Sequence, residues 1–318
     1  MKSMDDIVAG IRTNIWGLNP NIDEVPPTML SPTEIKMLSW LAGIMPFTRK
    51  SCIVDAGCFL GGSTAAFGKG IASNNNVLSK SNRIHCYDMF ITPRDTISQG
   101  MIGNRLPGTS FIDIFSKNTE RWNDFIVAHA GDFCKSLPPG HPIEILFVDI
   151  AKTWELNDRI IRSYFPRLVP GKSIIIQQDT NDHSCPWVNI TMEYYANYFE
   201  ILTDDSASRL FLFKNRIPAA ELQISLRHDL TFDAKMRLME RSASHSRSPV
   251  GHFLCSASAA WIIFESVGIT DALSYLDDLS SQQPWDGESY VAGIRSGMLH
   301  VGNMEGFSRY ISEYFRPR

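Results

Sequence analysis

The chain has 318 residues, 44% of them hydrophobic and 20% charged, with a formal net charge of -4 at pH 7. That composition is ordinary for a globular protein and long enough to bury a large core, as one large domain or one domain plus a smaller companion. The slightly acidic balance offers no basic field for a phosphate backbone, which argues against nucleic acid as the main partner.

The first ten residues, "MKSMDDIVAG", place two acids where a secretory signal would carry basic residues. No run reaches the roughly 18 uninterrupted apolar residues a membrane span needs, so no membrane partner is expected. Six cysteines (Cys52, Cys58, Cys86, Cys134, Cys185, Cys255) lie without a CxxC pair, mostly inside apolar runs. They read as reduced, packed thiols, and with the N-terminus they give a cytoplasmic expectation. Within residues 1–50, Ser31 before Pro32 predicts a helix N-terminus. Met37, Leu38, Leu41 and Ala42 continue it as an apolar stripe, a lead-in helix covering one face of the domain after it.

Residues 51–216 alternate short apolar runs with helical patterns, which predicts an α/β fold with a doubly wound parallel sheet. The runs are "CIVDA", "RIHCYDMF", "FIVAHAGD", "IEILFVDI", "KSIIIQQD", "FEIL" and "RLFLF". They give seven strands, the last two joined through "TDDSAS" as a hairpin, which makes the seventh antiparallel. Four of the first five runs end in an acid (Asp55, Asp88, Asp149, Asp179) and the other is followed by Gly131-Asp132. Carboxyl ends of strands form the ligand crevice of such sheets, so these acids should converge on one site. Met89 to about Trp122 is a long, polar, glycine-containing insertion of the kind that forms lids or binding loops. From 217 to 318 the spacing turns helical, as in "SASAAWIIFESVG" and "ITDALSYLDDLSS", with no convincing strand. This helical C-terminal region could shape an acceptor pocket or form a homodimer interface.

The stretch "VDAGCFLGGST" carries the most chemistry. An acid ends a strand, and glycines then open a helix whose N–H groups can meet a close ligand. Glycines that simply let a strand turn tightly would look the same. The spacing Asp-x-Gly-x-x-x-Gly differs from the Gly-x-Gly-x-x-Gly of dinucleotide sites, which disfavours a nicotinamide enzyme. Asp88, one strand later, stands where a carboxylate can accept from a ribose diol.

Together "VDAGCFLGGST", "HCYDMF", "AGDF", "LFVDIAKTWE" and "LVPGKSIIIQQD" resemble the class I S-adenosylmethionine-dependent methyltransferases, specifically macrocin- and catechol-type small-molecule O-methyltransferases. The resemblance spans roughly residues 29–214 and implies a Rossmann-like fold with S-adenosylmethionine as cofactor. It implies a cofactor set of Asp55, Gly57, Cys58, Phe59, Gly61, Ser63 and Thr64 at the first turn. Asp88 and Met89 would lie at the ribose, Asp132 and Phe133 at the adenine, and Asp149 at the crevice floor. Phe59 departs from the pattern, standing where many members carry a glycine.

By the same resemblance Asp149 is a magnesium ligand and Lys152, three residues on, a general base for a hydroxyl. A solvated lysine at a helix start is the plain alternative. Metal-dependent relatives end the fifth strand with two oxygen ligands. Here the pair is Gln178-Asp179, so a magnesium site on Asp149 and Asp179 is disfavoured. His183, in "TNDHSCPWV", would be the base of a metal-free mechanism, or simply an exposed loop histidine. Trp154 and Trp187 would wall an apolar acceptor, or pack as core. The reading is methyl transfer to a hydroxyl of a small molecule, such as a natural product or a sugar. N-methylation and a non-catalytic adenosine-ligand module stand as alternatives.

Overall fold

The computed structural model describes residues 2–18, 25–77, 79–103, 105–182, 184–205, 207–282 and 288–302. Its centre is one seven-stranded sheet of β1 (Cys52–Ala56), β2 (Ile84–Asp88), β3 (Ile126–Ala130), β4 (Ile143–Val148), β5 (Ile174–Gln177), β6 (Phe199–Asp205) and β7 (Ser208–Phe213). The strand order is β3-β2-β1-β4-β5-β7-β6. β7 runs antiparallel to both its neighbours and every other pairing is parallel, a Rossmann-like arrangement. β1, β4 and β5 are buried along their whole length, which is why they read as near-continuous apolar runs rather than alternating ones. The order reverses between β1 and β4, and a crevice opens outside the carboxyl ends of the strands at such a reversal.

The helices are α1 (Met4–Arg12), α2 (Pro32–Ile44), α3 (Gly62–Ser73), α4 (Thr96–Ile102), α5 (Ile112–Thr119), α6 (Trp154–Ser163), α7 (Pro186–Tyr194), α8 (Phe232–Ser244), α9 (Pro249–Ser266), α10 (Ile269–Ser281) and α11 (Glu288–Gly302). α2 begins as its sequence requires: the Ser31 hydroxyl accepts from Glu34 N–H, the Glu34 carboxylate accepts from Ser31 N–H, and Pro32 takes the first turn. It packs on α3 so closely that a Cβ on Gly70 would stand 2.3 Å from the Ser39 carbonyl oxygen. Asn74 then donates to the carbonyls of Ala42 and Met45, closing the last turn of α2 from its neighbour.

Successive strand residues feed opposite faces. Ile53, Ile145, Phe147 and Ile176 join the layer of α2 and α3, whereas Val54, Leu146, Val148 and Ile175 join the layer of Tyr164, Trp187 and Val188. At a typical 3–5 kcal/mol for truncating a buried Phe, the edge-to-face pair Phe67–Phe147 alone ties α3 firmly to β4.

Two regions have more helix than their sequence suggests. α1 is fixed by a capping box of Ser3 and Asp6 and buries Ile7 and Ile11, and its Arg12 pairs with Glu200 on β6. The insertion after β2 folds into α4, capped by the Asp95 side chain, and α5, which buries Phe115. At the C-terminus α8 and α9 pack on α7, and α10 and α11 pack on α9 around Phe253, Trp261, Leu276, Ile294 and Met298. Arg209 of β7, 1% exposed, pairs with Asp204 and donates to Ser242 of α8, tying the helices to the sheet. Among the described residues no helix is long and apolar enough to cross a membrane.

Candidate functional site

The turn after β1 is built by contact. Gly57, at φ +98°, leaves no room for a side chain: a Cβ there would lie 2.3 Å from the carbonyl oxygen of Asp149. The ends of β1 and β4 are therefore pressed together, with Asp149 N–H donating to Ala56 at 2.8 Å. Gly61, at φ +92°, is the N-cap of α3, and α5 sits directly on it, since a Cβ would meet the Thr119 side chain at 2.6 Å.

Asp55 is fully buried inside this turn. Its oxygens accept from Ser63 Oγ at 3.0 and 2.9 Å and from Thr64 Oγ1 at 2.6 Å. Burial raises its pKa to about 6, against the two hydroxyls and with some help from Asp88. Asp55, Ser63 and Thr64 thus hold one another, bracing the strand against the first turn of α3.

Asp88 holds the turn from the next strand. Its Oδ2 accepts from Phe59 N–H at 2.9 Å and its Oδ1 from Phe90 N–H at 2.8 Å. Burial raises its pKa, and these backbone N–H groups oppose the shift. Phe59 and Phe90 both adopt left-handed backbone, at φ +43° and +52°, which costs a side-chain-bearing residue about 1 kcal/mol or more each. The same two rings meet edge-on with Phe111 of the insertion, at 5.5 and 5.8 Å. The insertion after β2 is thus the aromatic cover of the glycine turn, and Phe90 and Phe111 join the candidate site although sequence reasoning passes over them. Their one signal is apolar residues recurring in an otherwise polar insertion.

The remaining residues of the expected cofactor set divide. Met89 is half-buried beside Asp88. Asp132 lies at the rim, where it accepts from Cys134 N–H and pairs with the exposed Lys135. Phe133 is 2% exposed and stacks on Tyr164 at 4.9 Å, inside the aromatic core. Cys58 is also buried, packed beside Cys86, and burial pushes its thiol pKa well up.

At the carboxyl ends of β4 and β5 the arrangement is different. Lys152 Nζ donates to Asp149 Oδ1 at 3.0 Å and to Asp179 Oδ2 in closer contact. Asp179 reaches it from left-handed backbone at φ +64°. Burial works against the Lys152 charge, but the two carboxylates outweigh it and keep the ammonium pKa well above its ordinary value. Asp149 moves to about 7, raised by burial and by Asp179 while Lys152 opposes. Asp179 is raised by burial as well, with Lys152 again opposing. Both directions follow from sharing: one ammonium between two carboxylates compensates only one of them, and Asp179 lies nearer.

Lys152 is therefore a cation at neutral pH, in a state that cannot accept a proton. Gln178 turns away, its side-chain oxygen accepting from Ser208 on β7. No group of three or more His, Cys, Asp or Glu among the described residues is placed to hold a metal ion. His183 lies outside the described residues. Trp154 and Trp187 are 3% and 1% exposed and pack on each other at 5.7 Å, as core.

A narrow cavity of about 30 Å³ lies against the turn, lined by Pro27–Leu30, Gly57–Leu60, Gly62, Ser63 and Asp149. It has room for about two waters. Thr28 closes it: a Cβ on Gly62 would meet the Thr28 side chain at 2.5 Å. The chain from Pro27 to Leu30 carries no sequence signal for this role beyond its proline.

No protein-family description matches the sequence, and neither does any curated protein. Solved structures to which the chain is similar include the O-methyltransferase NovP, at 14% identity over 67% of this chain and 100% of that one, with a TM-score of 0.46. CalS11, a TDP-rhamnose 3'-O-methyltransferase of calicheamicin biosynthesis, matches at 14% identity over 68% of this chain and 97% of its own, with a TM-score of 0.43. An O-methyltransferase from Bacillus cereus in complex with SAH matches at 16% identity over 68% and 92%, with a TM-score of 0.41. Identities this low attach no activity to the chain, because one fold hosts many functions.

Proposed function

We propose that this chain is an S-adenosylmethionine-dependent methyltransferase acting on a hydroxyl of a small molecule, a natural product or sugar in class. The observation that carries the reading is electrostatic. Four strand-end carboxylates, Asp55, Asp88, Asp149 and Asp179, converge at the β1/β4 reversal, and burial raises all four pKa values. Such a crevice favours a ligand that brings positive charge. S-adenosylmethionine fits that donor set, since its sulfonium and ammonium are cations and its ribose diol is a bidentate donor. Its contribution when bound is an electrophilic methyl group.

The residues have separate tasks. Asp88, each of whose oxygens accepts one backbone N–H, from Phe59 and Phe90, retains acceptor capacity for the diol. Gly57 and the N-terminus of α3 let the ligand approach the backbone. Asp149 is the group that takes the acceptor's proton, because a pKa near 7 balances ionisation against base strength at neutral pH. Asp179 and Lys152 orient it.

Titration calorimetry with S-adenosylhomocysteine tests the reading. One equivalent is expected to bind to the wild type, with affinity lost in Asp88→Ala and no heat from NADH. Label transfer from methyl-labelled S-adenosylmethionine to a panel of sugars and phenols then identifies the acceptor. Undiminished affinity in Asp88→Ala would mean that the site is misassigned.

A further inference from the structure

The sequence resemblance brings with it a divalent cation at the carboxylates ending β4 and β5, and the residues present do not fit one. The two carboxylates that would ligate it already converge on Lys152: Asp149 Oδ1 at 3.0 Å and Asp179 Oδ2 in direct contact. An ammonium and a divalent ion cannot occupy the same space between two oxygens. Gln178, the next oxygen donor along β5, is drawn towards β7, where the Ser208 hydroxyl bridges it to the buried Glu34. A hard divalent ion wants about six oxygens: with the ammonium between this pair no third carboxylate or imidazole among the described residues offsets the repulsion, whereas without it two carboxylates and water can complete the shell.

We propose that the Lys152 ammonium is the resident cation of this site and takes the place of a divalent metal in holding the acceptor oxygen. The inference rests on the methyltransferase reading for the identity of the acceptor, but its electrostatic core does not.

Three observations support it. First, an ammonium has three N–H donors and Lys152 spends two of them on Asp149 and Asp179; the third has no partner among the described residues. Second, the side chains of Lys152, Asp149 and Asp179 are 33%, 25% and 12% exposed, so the cation is the most open of the three and Asp179 lies deepest. Third, Asp179 adopts left-handed backbone to reach it, and Asp149 is fixed through its carbonyl against Gly57. Strain of that kind persists where the surroundings over-determine a geometry. The free N–H would point at the acceptor oxygen as it loses its proton to Asp149 and attacks the methyl group. The O–H bond breaks, the O–C bond forms, and the C–S electron pair leaves with the sulfur.

Mn2+ is the probe, followed by electron paramagnetic resonance on the full chain without added cofactor. The wild type and Lys152→Arg are expected to leave the free Mn2+ signal unchanged. Lys152→Met, which frees both carboxylates, is expected to take up one Mn2+ per chain, and the further change Asp179→Asn to abolish that uptake. Uptake of Mn2+ by the wild type that is lost in Asp179→Asn would overturn the proposal. So would a folded Lys152→Met, verified by circular dichroism, that takes up none. If Lys152→Met does not fold, Lys152→Gln serves in its place, and the wild-type arm decides independently. Absence of S-adenosylhomocysteine binding to the wild type would sink the methyltransferase reading instead, and leaves the Mn2+ outcomes readable.

Discussion

The two halves of the crevice satisfy their acids in opposite ways. At the ends of β1 and β2, Asp55 and Asp88 are bonded by hydroxyls and backbone N–H groups fixed within the fold. At the ends of β4 and β5, Asp149 and Asp179 are bonded by one long, partly exposed side chain, Lys152. Fixed neutral donors make a platform whose shape does not depend on protonation. A shared cation makes a site whose charge can respond to a ligand or to pH. On the proposed reading, the difference would give binding to the first half and proton chemistry to the second.

The junction of the halves is where the structure breaks most easily. Gly57→Ala puts a Cβ into the backbone of Asp149 and also forces a side chain onto φ +98°. Neither neighbour is a flexible tip, so a loss of about 3 kcal/mol or more is expected, read as a fall in the urea midpoint with S-adenosylhomocysteine binding lost alongside. Next in size is Asp88→Ala, which tests the platform alone. Two N–H groups lose a charged acceptor and the diol loses its partner, so affinity for S-adenosylhomocysteine should fall about 100-fold while the pH dependence of the remaining activity stays put.

Lys152→Met tests the other half. Asp149 stands at about 7 with Lys152 opposing its rise. Removing a cation disfavours ionisation, so the rising limb of the pH–rate profile should move to higher pH by about one unit, with about fivefold less activity at pH 7 that alkaline buffer restores, on top of a pH-independent loss from the missing donor to the acceptor oxygen. Because the two carboxylates interact, the limb reports the pair. A profile that drops without moving would show that Lys152 acts on the acceptor alone and does not set the ionisation of Asp149.

The same contrast explains what the sequence discloses. All seven strands are legible, because each is a compact apolar run, and the acids at the carboxyl ends of the parallel ones are visible as a recurring pattern. Their partners are not. Nothing in the spacing says that Lys152 bridges to Asp179, 27 residues away, instead of standing free as a base. Nor does it say that Asp55 is spent on Ser63 and Thr64 inside the turn. Phe133 and the pair Trp154–Trp187 have the composition of ligand walls, yet their faces are decided by tertiary packing. α4 and α5 escape notice because seven and eight residues are too few for a helical period to stand out, and α5 because ring contacts of Phe111 and Phe115 with Phe59 and Phe90 hold it. α1 does carry a signal, Ser3 followed by Asp6, but the same acids stand out first as the opposite of a targeting sequence.

Phe59 gives the smallest expected effect and the finest test of the platform. Its φ of +43° penalises a side-chain-bearing residue by about 1 kcal/mol or more, which glycine would relieve. Against that, glycine loosens the unfolded chain by about 0.4–1 kcal/mol and forfeits the edge-on contact with Phe111, itself about 0.5–1.5 kcal/mol. With the ring's partly buried area lost as well, Phe59→Gly should cost about 1–2 kcal/mol of stability, measured by chemical denaturation. The bond from residue 59 N–H to Asp88 is a backbone bond and survives the change. S-Adenosylhomocysteine affinity should therefore change far less than in Asp88→Ala. If it falls as far, the ring of Phe59 touches the ligand, and the turn recognises it through a side chain as well as through its backbone.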